Sequence, residues 1–306
     1  MPITPGTVIP VGTQISPGGD IGVVGPPGSQ GIQGAPGPNV NGFISRVANY
    51  TLTPSDSNKY ILCSNGSWTL TLPAPTLGLC FYLRNELPSI SAPAATPIGT
   101  ITIQPNGGTI NGLASLPLLP AQECFVITDG TNWRTFNLQR CVLLGTIDVS
   151  AATTNIPILL PVGYRIFELE IAGLQTAAQP VGVQGLFSKD GGNTWTTATT
   201  GYYYQYIYAS AVTTLNTNGG QNIAFAYLGW PGDASPRGLV RTTLSPGSAT
   251  AYVSWVSESM GWNGTYVGKM HVSGFYNTLG GVNAIQVNVG GTQTIVAANI
   301  TLKGFV

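Results

Sequence analysis

Glycine recurs at every third position through Gly19, Gly22, Gly25, Gly28, Gly31, Gly34 and Gly37, with Pro26, Pro27, Pro36 and Pro38 between them. A strict period of three is what a triple helix requires, because only a hydrogen fits where three polyproline II chains meet at one axis. The constraint falls on assembly before it falls on fold, since the segment has no partner-free form of that kind. The sequence therefore predicts a homotrimer in which residues 19–39 form a collagen-like rod of about 21 residues, about 65 Å long at the polyproline II rise. A flexible glycine/proline linker is the competing reading, and such linkers keep no period. Triplets such as Gly22-Val23-Val24 and Gly28-Ser29-Gln30 lack an imino acid, so the rod is expected to take its register from trimeric folded domains downstream. Asn41-Gly42 marks the turn out of it.

Only 7% of the 306 residues are charged, and 11 basic residues balance 11 acidic ones. Neither a nucleic-acid backbone nor an anionic membrane is attracted by such a chain, so neither is expected as a partner. No run approaches the roughly 18 apolar residues that span a bilayer, and membrane insertion is not expected. Met1-Pro2-Ile3-Thr4-Pro5 lacks the basic start and apolar core of a secretory leader.

Residues 1–18 carry Pro2, Pro5, Pro10 and Pro17 among Ile3, Val8, Ile9, Val11 and Ile15, which reads as an extended arm that needs a partner to lie on. Beyond residue 43 the pattern is short apolar alternation. Trp68, Leu70 and Leu72 alternate with Thr69 and Thr71, and Ile101 and Ile103 with Thr100 and Thr102; period two means half-buried strands. Turn signals at Ser64-Asn65-Gly66, Pro105-Asn106-Gly107-Gly108 and Asp129-Gly130 separate them. The fold class expected is all-β: two jelly-roll-like β-sandwiches, one over 43–140 and a second of about nine strands over 142–306. The candidate strands of the second are 156–160, 165–171, 181–188, 202–209, 223–229, 249–256, 267–275, 284–289 and 294–303.

The stretch from Asn49-Tyr50-Thr51-Leu52 through Trp68-Thr69-Leu70-Thr71-Leu72 to Asp129-Gly130-Thr131-Asn132-Trp133 and Phe136 resembles a module of tailed-bacteriophage fibre proteins. The last part of the chain is similar to the β-sandwich modules that end phage tail, neck or capsid fibres. It carries Phe187-Ser188-Lys189-Asp190-Gly191-Gly192-Asn193-Thr194-Trp195, a tyrosine-rich strand, and Ala298-Asn299-Ile300 near its close. With the glycine frame, the resemblance implies a trimeric fibre of arm, rod, sandwich and distal head, assembled in the host cytoplasm and located in the virion.

Ser188, Asp190, Gly192, Thr194 and Trp195 match the Asp-box, a hairpin device whose aspartate bonds turn amides above a packed tryptophan. A single copy argues against a propeller, and the structural reading outweighs an enzymatic one. Tyr202, Tyr204, Tyr206 and Tyr208 share one face of a strand, and Tyr203 and Ile207 share the other. Core packing is the simpler reading of that stripe, and a sugar-binding platform including Tyr204 and Tyr206 is the functional alternative. Trp230 and Trp262 lie in Gly/Pro/Asn-rich sequence and are candidates for exposed contacts.

Catalysis has little sequence support. His271 is the only histidine, and no motif ties a serine or cysteine to it. Asp148, Glu168, Glu170, Asp190, Asp233 and Glu258 are the only carboxylates available to a glycosidase pair in the head. Cys63, Cys80, Cys124 and Cys141 form no Cys-x-x-Cys pair, so no metal or cofactor is expected; buried thiols are the first reading and disulfides stay open. The expectation is a non-enzymatic structural protein fixed to tail, neck or capsid by residues 1–18, its head turned toward host surface glycans. A capsid decoration without receptor role, a bacterial or spore-surface collagen-like protein and a polysaccharide depolymerase are the alternatives.

Overall fold

The computed structural model describes residues 41–306 except 94–97, 178–181, 198–200, 212–213, 224, 230–237, 263–266, 278 and 291–292. The side chains of some strand residues, Tyr208 and Trp262 among them, also fall outside the description. The arm, the seven frame glycines and Trp230 lie outside the described residues.

The described chain is all-β, its one helical element a single 3-10 turn at Pro54–Asp56. In the first module, residues 43–140, labelled the fibre module only for its resemblance, strands β1 (Phe43–Arg46), β3 (Tyr60–Cys63), β5 (Cys80–Asn85), β8 (Glu123–Thr128) and β9 (Trp133–Phe136) form one sheet in that order. Strands β2 (Tyr50–Thr51), β4 (Gly66–Leu72), β6 (Ile98–Pro105) and β7 (Leu116–Leu118) form the other. The first six strands alternate between the two sheets, and each is parallel to the strand two before it. They wind as a short coil, and β7, β8 and β9 close it with antiparallel pairs. A jelly roll is built from antiparallel strands, so the jelly-roll-like expectation does not hold for this module. The reason lies in its turns: Asn65 and Gly66, both at positive φ, carry the chain across to the opposite sheet instead of folding it back as a hairpin. Ile61, Leu83, Phe81 and Val126 of the first sheet meet Leu70, Leu72, Ile101 and Ile103 of the second, all fully buried with Trp133.

The head is antiparallel throughout. Its small sheet orders β11 (Asn155–Leu159), β20 (Ala284–Val289), β13 (Val183–Ser188) and β16 (Ala226–Gly229). Its large sheet begins with β10 (Cys141–Val149), β21 (Ile295–Phe305), β12 (Ile166–Thr176) and β17 (Gly238–Ser245). Taken together, these eight strands follow the order of a jelly roll. Two hairpins then widen the large sheet beyond β17: β18 (Val253–Trp262) with β19 (Val267–Tyr276), and β14 (Tyr202–Ala211) with β15 (Thr214–Ile223). Phe167, Leu169, Ile171, Ile300 and Leu302 pack against Ile158, Phe187, Ile285 and Val287 between the sheets.

Fibre module and head share a seam. The connection from β5 to β6 lays Ile90–Ala92 along the edge strand β11, with Leu159 N–H donating to Ile90 O at 2.6 Å and Ala92 N–H to Pro157 O at 3.1 Å. Ile90 and Leu119 belong to the head's hydrophobic core, and Tyr164 donates its buried hydroxyl to Pro120 O at 2.5 Å.

Candidate binding surfaces

The Asp-box residues come together as a closed turn at the end of β13. Ser188 Oγ donates to Asp190 Oδ1 at 2.7 Å and accepts the Gly192 N–H at 2.9 Å. Asp190 also accepts from Thr194 N–H at 2.9 Å and Thr194 Oγ1 at 2.6 Å. The Ser188 hydroxyl first, then the Thr194 groups, pull the Asp190 carboxyl down to about 2. Gly192 stands at φ +91°, and a Cβ there would sit 2.7 Å from Ala92 Cβ and 3.2 Å from the Trp195 ring. Trp195 packs on the small cluster of Ala92, Leu159 and Ala284, so the turn seals the seam against the fibre module, and its carboxylate is fully engaged in doing so.

The tyrosine stripe is divided by its strand. Tyr202, buried, stacks on Tyr276 at 4.5 Å between ring centroids, and its hydroxyl accepts the Phe187 N–H at 3.1 Å. Tyr204 and Tyr206 face the interior as well, 5.3 and 5.7 Å from Tyr227. Burial raises the phenol pKa of Tyr202, Tyr204 and Tyr227. These rings fill the widened end of the sandwich. Trp262 is the last residue of β18, in register with Val267, rather than part of a loop.

The outer face of the same strands is more open. Tyr203 of β14 stacks on Phe275 of β19 at 4.8 Å with the rings 5° from parallel, and Tyr252 lies 6.2 Å beyond. Phe275 is 41% exposed and Tyr252 49%. A hollow of about 520 Å³ opens here, lined by Tyr203, Phe275, Gln205, Ser254, Ser273 and the backbone of Gly274. It offers flat apolar ring faces beside hydroxyl and amide groups, with no charge among its lining residues.

Farther across the face the rows become ionic. Arg241 pairs with Glu170 at 2.6 Å, Lys303 with Glu168 at 2.7 Å and His271 Nδ1 with Glu258 at 3.3 Å. Asp148 accepts from Asn299. Every described carboxylate considered for a glycosidase pair thus has its own hydrogen-bonding or ionic partner, and Asp233 lies outside the described residues. Among the described residues no group of three His, Cys, Asp or Glu could hold a metal ion.

The fibre module carries a row of rings that sequence reasoning missed. Phe43, Tyr60, Tyr82, Phe125 and Phe136 stand one per strand, each in register with the next across the whole first sheet. Their alternate neighbours Ile61, Leu83 and Val126 point into the core, so the five rings share the outer face. Only the register brings them together, and no local spacing announces it. The four cysteines are free thiols, with Cys63, Cys80 and Cys124 buried and Cys141 exposed. Burial pushes the Cys63 and Cys124 thiols up to about 12.

No family model, no curated protein and no solved structure matches this chain.

Proposed function

We propose that the chain is a non-enzymatic structural subunit of a bacteriophage virion, a homotrimeric fibre mounted on tail, neck or capsid by residues 1–18 and displaying its head for host-surface adhesion. The observation that carries adhesion is the uncharged hollow of Tyr203, Phe275, Gln205, Ser254 and Ser273. Ring faces beside hydroxyls and an amide suit a neutral sugar, whose C–H faces stack on aromatic rings while its hydroxyls exchange hydrogen bonds. Three heads on one rod raise effective concentration, so weak contacts at each head give firm attachment. The glycine frame supports three copies, and engagement of the described head carboxylates in pairs and turns supports binding over hydrolysis.

The test is binding of the purified full chain to host cells. Replacing Tyr203 and Phe275 together by Ser is expected to abolish attachment while sedimentation and circular dichroism stay unchanged, because both rings face outward. Undiminished attachment by a folded double variant would sink the adhesion reading and leave capsid decoration as the better one.

A further inference from the structure

Rings standing on a solvated sheet face are ordinarily scattered, and a continuous apolar patch marks an interaction surface. The row on the fibre module runs unbroken from one edge strand to the other, with centroid spacings of 5.7, 6.2, 4.7 and 6.5 Å from Phe43 to Phe136. Phe43 is 73% exposed and Phe136 55%. Leu62 and Ile127 lie on the same face by alternation, half-buried. The polar groups beside the row are tied to one another, with Arg84 3.5 Å from Glu123 and the Tyr60 hydroxyl donating to Glu123 at 2.8 Å. An aromatic centre with paired charges at its margin has the make-up of a protein–protein interface.

We infer that this face is where three copies of the chain pack together, each aromatic row covered by the rows of its two neighbours about a common axis. The inference rests on the homotrimer reading above. Phe43, the first ring, follows the last frame glycine by six residues. The aromatic row thus begins, along the chain, directly after the segment whose glycine period calls for three copies. The row itself spans four strand spacings, about 19 Å. Three such faces turned inward close into a prism and take all the rings out of water. That closure gives the imino-poor rod the register its own triplets do not supply.

The test is hydroxyl-radical labelling of the full chain with sedimentation velocity on the same sample. In a trimer, Phe43 and Phe136 are expected to label several-fold more slowly than Tyr252 of the head, although each is the more exposed in a single chain. Phe43→Arg, which disturbs no buried contact of the single chain, is expected to convert the trimer to monomer with the β-sheet circular dichroism signal unchanged. Phe136→Arg is expected to do the same, and Val162→Arg on the head to do nothing. A wild-type trimer whose Phe43 and Phe136 label as fast as Tyr252 would overturn the inference and leave the trimer reading standing. Persistence of the trimer in both arginine variants would do likewise, as would protection that appears only when host polysaccharide is added. A wild-type monomer at micromolar concentration would overturn the trimer reading and this inference with it.

Discussion

In the fibre module the rings of Phe43, Tyr60, Tyr82, Phe125 and Phe136 stand on the outside of a sheet, whereas in the head Tyr202, Tyr204, Tyr227, Trp255 and Tyr276 are turned between the sheets. The outer face of the head's large sheet carries cross-strand ion pairs over β12, β17 and β21, and sets His271 of β19 against Glu258 of β18. Both regions use the same period of two, and a strand read one residue out of phase exchanges its faces. What differs is which phase holds most of the rings, since of those in the head Tyr203, Phe275 and Tyr252 stand outside, around the hollow. A face of paired charges is at ease in water, while a face of rings asks to be covered, so the two modules are suited to different neighbours. The head's outer face is at home in solvent apart from one uncharged hollow, and the aromatic face of the first module calls for a covering neighbour.

The largest contrast in rate is expected at the thiols. Cys63 and Cys124 face the fibre-module core, and burial holds them at about 12. The thiolate is the reactive form, so at pH 8 only about one such thiol in ten thousand is reactive even before access is considered. Iodoacetamide at pH 8 is expected to modify exposed Cys141 promptly, and Cys63 and Cys124 only after denaturant is added, as peptide mass spectrometry would show. Labelling of Cys63 at the rate of Cys141 would mean that the fibre-module interior opens readily, and the aromatic face could not then be a rigid surface.

A second test compares the two cores directly. Trp133 is fully buried against Phe81 in the fibre module, and Trp255 is buried against Phe187 in the head, where its Nε1–H donates to Tyr227 O at 3.0 Å. Replacing either by Ala is expected to cost about 3–5 kcal/mol, from lost burial and the cavity left behind. Ile90 and Leu119 reach from the fibre module into the head's core, so both variants are expected to lower one shared calorimetric transition. Two transitions, with only the mutated module's moving, would show that the seam does not couple them.

Much of this architecture could be read from the chain. Strand 284–289 was expected with the bounds that β20 shows, and the alternation around Trp68 and Ile101 placed β4 and β6. Strand β15 was not legible, because Asn216, Asn218, Gly219 and Gly220 read as a turn. In the structure these glycines let β15 lie close against β14: a Cβ on Gly220 would come 2.9 Å from the Tyr204 ring. Parallel winding in the fibre module was hidden for a related reason, since a turn signal does not say whether the chain folds back in its own sheet or crosses to the other. Of the surface residues, alternation set Tyr203 on the face opposite Tyr204 and Tyr206, but it did not say which face is the outer one, and the stacking partner Phe275 lies far along the chain. Such pairs exist only through register, and register is set by the whole sheet.

The smallest effect expected concerns the turn that holds the two modules together. Asp190 is drawn down to about 2 by the hydroxyl of Ser188 and by the hydroxyl and amide of Thr194, while in the unfolded chain an aspartate titrates near 3.9. A carboxyl depressed on folding stabilises the fold above its unfolded pKa, and that contribution is lost as pH falls from about 4 through the folded value of about 2. Asp190→Asn keeps an acceptor in the turn but removes the charge. The wild-type protein is therefore expected to melt higher than the variant at neutral pH, with the gap closing across that acid window until the two coincide below pH 2. Because the group is exposed, the gap should be small, and it should shrink with added salt. A gap that stays constant from pH 7 to pH 2 would mean that the turn depends on the shape of the side chain alone. The hold of Trp195 on Ala92 would then owe nothing to the carboxylate.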